Sequence, residues 1–173
     1  MKSHFYLVLF LVCASVAAAQ SPAKILKQAE KAMGGTKAIQ TINSVERTGT
    51  IKRLSDGAAG KYTSRSSKPN LYSETYDLAG FEYSAGYNGR SGWRRDSRNG
   101  LSTLTGDVSN DFQAESLFRN SLWLDYKKQK AKIIGAGTAA INGRRNNVLT
   151  FSTNKGVNIK LYFDSATGLL TRE

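Results

Sequence analysis

The stretch "SSKPNLYSETY", residues 66–76, is the best starting point for the fold of this chain. The pair Lys68-Pro69 precedes a segment that resembles a β-strand, and proline is tolerated at the beginning of a strand rather than in the middle of a sheet. Neither face of this strand is uniformly apolar, because tyrosine, glutamate, serine and threonine alternate along it. We interpret Tyr72 and Tyr76 as residues that line or rim a cavity. The alternative is an ordinary edge or solvent-facing strand.

The N-terminus has the pattern of a secretory signal peptide. Lys2 precedes an apolar run over residues 5–16, and small alanines follow it. The run is shorter than the ~20 residues of a membrane-spanning helix, which favours cleavage near Ala19 over an uncleaved anchor. We therefore expect residues 1–19 to be a signal peptide and residues 20–173 to form one domain.

The single cysteine and the single histidine both lie in that N-terminal segment, as Cys13 and His4. The mature chain therefore has no thiol and no imidazole. This excludes Ser-His and Cys-His nucleophilic catalysis and the usual zinc, copper and iron sites. The lack of disulfides in an exported chain suits a bacterial periplasm, and we expect no cofactor and no bound metal.

The chain carries a formal net charge of +12. Such a charge favours encounters with anionic partners, such as lipid headgroups, lipopolysaccharide, acidic proteins or nucleic acid. Export makes nucleic acid an unsuitable partner, which leaves lipid headgroups, lipopolysaccharide and acidic proteins, and contact with an anionic membrane surface is compatible with this charge. The alternative is a solvated basic surface that only aids solubility.

Two segments have helical periodicity. In the first, Ser21 and Pro22 suit a helix start, and Gly34-Gly35 suits its end. A short helical turn over residues 36–42 should follow. The central segment has capping-box spacing between Asn110 and Gln113. Its apolar face comprises Ala114, Leu117, Phe118, Ser121 and Leu122.

The remaining chain alternates with period two and is interrupted by turn signals, as in an antiparallel sheet. Asn142-Gly143 is a strong hairpin signal. The clearest strand is residues 157–164, where we expect Val157, Ile159, Leu161 and Phe163 to point inward and Asn158, Lys160, Tyr162 and Asp164 outward. The pattern predicts a mainly β, α+β fold: a curved antiparallel sheet covered by an N-terminal and a central helix. Because Glu173 falls within a strand, we expect the domain to lack its last strands.

Signals for catalysis are weak, and we predict that the protein is not an enzyme. Asp77 and Glu82 are a nearby carboxylate pair, but a solvated turn explains them better than glycosidase chemistry. Ser66 and Lys68 could form a Ser-Lys dyad only if Lys68 were buried, and we interpret them as a surface turn. The segment Asp107–Asp111 has too few oxygen ligands for calcium and suits the acidic start of a helix.

A basic segment, residues 89–100, surrounds Trp93 with Arg90, Arg94, Arg95 and Arg98. Arginines around an aromatic ring can bind a polyanion or lie at a lipid headgroup boundary. The simpler interpretation is a hairpin with a half-buried tryptophan and solvated arginines.

Several short motifs occur in the order seen in a known family. They are "AEKAMGG", "SVERTGTI", "GKYTSRSSKPNLYSETY", "YNGRSGW" and "LYFDSATGLLTR". In this order they resemble the bacterial LolA/LolB-like outer membrane lipoprotein-sorting proteins. Lys68-Pro69-Asn70 resembles the family's corner before an extended strand, and Asn88-Gly89 with Trp93 resembles its hairpin.

The resemblance implies a half-open β-barrel closed by helices, a periplasmic location, a hydrophobic cavity for acyl chains, and inner- and outer-membrane transport partners. In the family an arginine before the corner proline bonds to the lid and governs opening. The matching residue is Lys68, which keeps the charge but lacks the planar multi-donor group of arginine. The residues that we expect to line the cavity are Tyr72, Tyr76, Phe81, Tyr83, Trp93, Leu117 and Phe118.

The sequence thus predicts a carrier or binder of lipid or lipid-modified protein that sequesters acyl chains. Two other functions are compatible with it. One is an envelope sensor domain on the same fold, which would bind a protein partner without moving lipid. The other is a basic polyanion-binding module that uses residues 90–98, whose binding would fall steeply with salt.

Overall fold

The computed structural model describes residues 20–119 and 122–173, and within them the fold is α+β, as predicted. The described part contains three α-helices, a 3-10 turn and ten strands in two antiparallel sheets. The helical elements are α1 (Pro22–Ala32), α2 (Gly35–Thr41), α3 (Gly106–Arg119) and the 3-10 turn (Leu122–Asp125). The strands are β1 (Ser44–Lys52), β2 (Ala59–Ser67), β3 (Leu71–Leu78), β4 (Phe81–Asn88), β5 (Gly92–Asp96), β6 (Gly100–Thr103), β7 (Lys132–Ile141), β8 (Arg144–Ser152), β9 (Asn158–Asp164) and β10 (Leu170–Arg172).

The first helix forms where the sequence predicts it. Pro22 occupies the first helical position, and Ile25 and Ala29 are buried on one side. Gly34 ends the helical run with a φ of 94°, in the left-handed region that glycine enters without a steric penalty. The short helix α2 then follows directly, also as predicted.

The central helix α3 begins earlier than the Asn110 to Gln113 spacing predicts. Its first residue is Gly106, and Asp107 lies in the first turn, where a negative charge suits the helix dipole. Ala114 and Phe118 are buried as expected. Ser121 lies outside the described residues, as do the side chains of Leu117 and Leu122.

Strands β1 to β6 form one sheet in which each strand pairs with the next. The remaining strands, β7 to β10, form a second sheet, which differs from the predicted single sheet. Strand β6 was not predicted. The ladders from β1 to β4 run without a register shift, so successive side chains alternate strictly between two faces. Residues 68–70 connect β2 to β3, and the Lys68-Pro69 peptide bond is cis.

The second sheet has the order β10-β9-β8-β7. Asn142 and Gly143 join β7 to β8 with φ values of 49° and 74°, the conformation that a two-residue hairpin turn requires. On β9, Leu161 and Phe163 are buried, as the alternation predicts, and Ile159 is half-buried.

Asp164 is a correction to that alternation. We predicted an outward, solvated side chain, but Asp164 is only 6% exposed. Its carboxylate accepts hydrogen bonds from the backbone N–H groups of Ala166 and Thr167, at 2.9 and 2.8 Å. These bonds hold the pKa of Asp164 below its ordinary value, because they stabilise the ionised form. The residue therefore serves the turn before β10.

Two hydrophobic clusters stabilise the fold. One lies between α1 and the four-stranded sheet and is dominated by aromatic contacts, with Trp123 against Phe163 at 5.2 Å between ring centroids and Phe118 against Phe151 at 5.4 Å. The other lies between α3 and the six-stranded sheet. Helix α3 contributes to both clusters, so it connects the two sheets.

The predicted signal peptide, residues 1–19, lies outside the described residues. Among the residues that are described, no helix has the length and apolar character needed to cross a membrane.

A glycine in β2 gives a direct test of the six-stranded sheet. A methyl group at Gly60 would fall on the backbone carbonyl oxygen of Asp77, whereas a methyl group at Gly49 in β1 would meet no atom within 4 Å. We expect Gly60→Ala to destabilise the protein by about 1–3 kcal/mol or more, because the contact is with backbone that cannot move aside. Urea unfolding measures this change.

Gly49→Ala is the matched control, since it adds the same methyl group to a neighbouring strand. Its effect should stay within about 0.5 kcal/mol. Equal effects of the two substitutions would contradict the described pairing of β2 with β3.

Candidate functional site

The six-stranded sheet has two chemically different faces. Strand register places Tyr72, Ala85 and Tyr87 on the side that packs against Phe112 of α3, and we call this the helix-side face. The opposite side carries mainly hydroxyl and charged residues, and we call it the outer face. Its residues include Thr63, Thr75, Ser84 and Arg95.

Helix α3 covers only part of the helix-side face. The ring of Phe112 meets the ring of Tyr72 edge to face, with centroids 5.7 Å apart. Gly92 allows this close approach, because a methyl group there would lie 3.0 Å from Leu104 and 3.3 Å from Phe112. The packing fixes α3 over β4 and β5.

A hydrogen-bonded cluster of two tyrosines and a carboxylate lies beside this contact. The hydroxyl groups of Tyr72 and Tyr62 both donate to Glu74 Oε2, at 2.8 and 3.1 Å, and the two hydroxyl oxygens are 3.2 Å apart. Glu74 is half-buried. The bonds orient the two rings along the helix-side face.

Three further aromatic residues lie on the same face and are half-buried: Tyr76, Phe81 and Tyr83, which we call the aromatic row. Tyr76 and Tyr83 are directly opposite each other on β3 and β4, and their rings stack with centroids 4.7 Å apart. The ring centroids of Phe81 and Tyr76 are 6.4 Å apart, and the guanidinium carbon of Arg98 lies 5.1 Å from the centroid of the Phe81 ring.

Burial is the main influence on the phenols of the aromatic row. It raises the pKa of Tyr76 and of Tyr83 above the ordinary value of about 10, and the negative charge of Glu74 raises both pKa values further. The nearby positive charge of Arg94 opposes the rise at Tyr83. Both phenols are therefore neutral at physiological pH, and their rings present an aromatic surface with polar tips.

The structure divides the seven predicted cavity residues among separate places. Tyr76, Phe81 and Tyr83 come together in the aromatic row, while Tyr72 is buried under α3. Trp93 lies on the outer face. Phe118 is buried in the cluster of the four-stranded sheet. The remaining residue, Leu117, is in α3, with a side chain outside the described set.

Lys68 connects the corner between β2 and β3 to α2. Its Nζ donates a hydrogen bond to the carbonyl oxygen of Gln40 at 2.8 Å, and its backbone N–H donates to the carbonyl of Asn43 at 2.9 Å. Gln40 lies in the last turn of α2, where a positive charge suits the helix dipole.

The weak catalytic signals have structural explanations. Asp77 and Glu82 are exposed and directly opposite each other beside the β3–β4 turn, where Asp77 accepts a hydrogen bond from the N–H of Gly80 at 3.1 Å. Ser66 is only 3% exposed, so our interpretation of it as a surface turn was wrong. Its hydroxyl has no hydrogen-bond partner among the described residues, and Lys68 Nζ binds elsewhere.

The arginines around Trp93 do not form one surface. Arg94 and Arg95 are consecutive on β5 and so point to opposite faces of the sheet, and Arg98 lies over Phe81. In the described part of the chain, acidic residues form no cluster suited to a metal ion.

Sequence reasoning missed three residues of this region. Tyr62 and Glu74 were not selected, although they lie on the same face as Tyr72 and Tyr76 in the alternation of β2 and β3. Phe112 was missed because it lies off the predicted apolar face of the central helix, which contains Ala114 and Phe118, and packs in a different cluster from Phe118.

Neither a model of a known protein family nor a curated protein sequence matches this chain.

The raised pKa values of the aromatic row predict a loss of stability at alkaline pH. Each of these tyrosines has a higher pKa in the folded protein than in the unfolded chain, where the value is about 10. The resulting stabilisation is fully present below the pKa of the unfolded chain, and it is lost as the pH rises through the pKa of the folded protein. The free energy of unfolding of the wild type, measured with urea, should therefore be lower at about pH 10.5 than at about pH 9. The drop should be smaller for the double variant Tyr76→Phe and Tyr83→Phe.

The double variant keeps both rings, so the comparison isolates the two phenols from the titrating lysines. If wild type and variant lose the same stability between the two pH values, the described burial of the aromatic row is incorrect.

Proposed function

We propose that this protein is a non-enzymatic periplasmic binder and carrier of lipid or lipid-modified protein. An acyl chain would lie against the helix-side face of the six-stranded sheet. The observation that supports this best is the aromatic row, Tyr76, Phe81 and Tyr83, whose rings share the face that α3 covers elsewhere and are themselves only half-buried. Partly exposed rings grouped on one face offer hydrocarbon a contact surface.

The apolar surface continues beyond the aromatic row. Register places Val45, Ile51 and Leu78 on the helix-side face, and all three are half-buried. The apolar residues thus extend across β1, β3 and β4. An extended alkyl chain crossing these strands would contact several of them at once.

The energy of such binding is sufficient for a carrier. Burying hydrocarbon contributes about 0.8 kcal/mol per methylene, so a C16 chain offers on the order of 10 kcal/mol before ordering costs. A bound acyl chain would cover the hydroxyl groups of Tyr76 and Tyr83. Burying a hydroxyl group without a hydrogen-bond partner costs free energy, so this burial lowers the affinity. A carrier needs this moderation, because it must release its ligand.

The two-sheet arrangement is compatible with the half-open barrel that the LolA/LolB-like resemblance implies, and we propose that architecture for the bound state. Opening would involve Lys68, since its bond to the Gln40 carbonyl joins the β2–β3 corner to α2. Lysine makes one such bond, where arginine could make two, so the proposed gate would open with less resistance.

Binding of a fluorescent fatty acid, cis-parinaric acid, tests the proposal. We expect Tyr76→Ser to weaken binding about tenfold, because it removes a stacked ring from the aromatic row. Leu101→Ser is the control: Leu101 is 71% exposed on the outer face, and the loss of apolar surface there should leave affinity within about twofold. Titrations monitored by probe fluorescence give both affinities.

The same assay separates the alternatives. Acyl binding should persist or strengthen as salt rises, whereas polyanion binding would collapse. A carrier should also accelerate transfer of the fatty acid between vesicles, which a sensor domain would not. If the wild type does not bind the probe, or if both variants bind equally well, the proposed site is incorrect.

A further inference from the structure

The outer face of the six-stranded sheet carries a groove whose outer-face residues the acyl-chain proposal does not use. One part, of about 650 Å³, is lined mainly by two cross-strand rows of outer-face residues, one containing Lys61, Asp77 and Glu82 and the other the hydroxyl residues. Tyr76, Tyr83 and Asp96, which the strand register assigns to the helix-side face, also border this part. A second part, of about 470 Å³, is lined by outer-face residues that include Trp93. Both parts include Ser84 and Arg95, so they form one outer groove.

A row of hydroxyl groups forms the floor of the outer groove. Thr63, Thr75 and Ser84 are directly opposite one another on β2, β3 and β4, and Thr48 continues the row on β1. Each hydroxyl can donate one hydrogen bond and accept two. Because neighbouring strands are about 4.8 Å apart, a groove from β2 to β6 extends about 19 Å, which suits an elongated ligand.

Trp93 provides an aromatic surface at one end of the outer groove. Its indole lies across Gly86, where a methyl group would come within 2.7–2.8 Å of three indole atoms, so only glycine permits this position. The indole is half-buried, and its remaining surface borders Arg95, Leu101 and the hydroxyl of Thr103. An aromatic ring beside polar groups suits a ligand with one apolar side and a polar rim.

The charges of the outer groove exclude two ligand classes. Lys61 and Arg95 are accompanied by the acidic residues Asp77, Glu82 and Asp96, so the groove is not basic although the chain carries a net charge of +12. A polyanion would meet these carboxylates. An acyl chain would have to remove several charges from water, which is costly.

We infer that the outer groove binds a neutral oligosaccharide. A sugar ring has an apolar C–H side that packs on an indole and a rim of hydroxyl groups that bond to threonine, serine, carboxylate and guanidinium groups. All these protein groups are present in the outer groove, along a length greater than one sugar ring. The surface would hold an envelope glycan on one side of the sheet while the helix-side face remains available for lipid.

Isothermal titration with chitohexaose and cellohexaose, two neutral β-linked oligosaccharides, tests the inference on the full mature chain. The wild type should bind at least one of them. Trp93→Ala should weaken that binding at least about tenfold. Because Trp93→Ala could affect folding, Thr75→Val provides a second, nearly isosteric variant that removes one exposed hydroxyl group, and it should weaken binding about threefold.

Ile51→Ser is the control from the helix-side face, because Ile51 does not line the outer groove: it should retain oligosaccharide binding, and Trp93→Ala should retain cis-parinaric acid binding. The two proposals can therefore fail separately. The inference is overturned if the wild type binds neither oligosaccharide at millimolar concentration, or if both outer-face variants bind as well as the wild type. It is also overturned if heparin binds in their place, or if sedimentation shows that the outer face joins two copies of the chain.

Discussion

The strict alternation of side chains across the six-stranded sheet is the constraint on which the rest of the structure depends. The ladders from β1 to β4 contain no register shift, so each residue is assigned to one face, and a one-residue slip would exchange the faces. Glycines lie where another part of the chain comes closest: Gly60 at the carbonyl of Asp77, and Gly86 beneath Trp93. The aromatic row and the hydroxyl row can therefore lie on opposite sides of the same strands.

Helix α3 determines how much of the helix-side face is covered. Phe112 packs against Tyr72 of the six-stranded sheet, and Phe118 packs against Phe151 of the four-stranded sheet. These two contacts fix the helix from two directions and hold it over β4 and β5. Tyr76, which lies beyond that contact, consequently remains half-buried. The uncovered aromatic surface thus results from a helix that serves two cores.

Those features that depend on local chemistry could be predicted from the sequence. The limits of α1 follow from Pro22 and Gly34, and the β7–β8 hairpin follows from Asn142-Gly143, because proline, glycine and asparagine restrict or permit particular backbone angles. The burial of Leu161 and Phe163 follows from period-two alternation.

Features that depend on contacts between distant segments could not be predicted. The strand of Trp93 was clear, but its face depends on the pairing of β5 with β4, which no local pattern specifies. Helix α3 has no single apolar stripe, because Phe112 and Phe118 serve different clusters, and this hid its first turn. Asp164 is a different case: its bonds to the N–H groups of residues 166 and 167 form a local turn, a role typical of aspartate that the period-two alternation did not indicate.

The central claim is that hydrocarbon binds to the helix-side face and not to the outer face. Isotope-filtered nuclear Overhauser measurements on the protein with labelled palmitic acid test it most directly. The account predicts contacts from the alkyl chain to the ring protons of Tyr76 and Tyr83 and none to the indole of Trp93. Contacts to Trp93 alone, or an alkyl chain that contacts neither face, would contradict it.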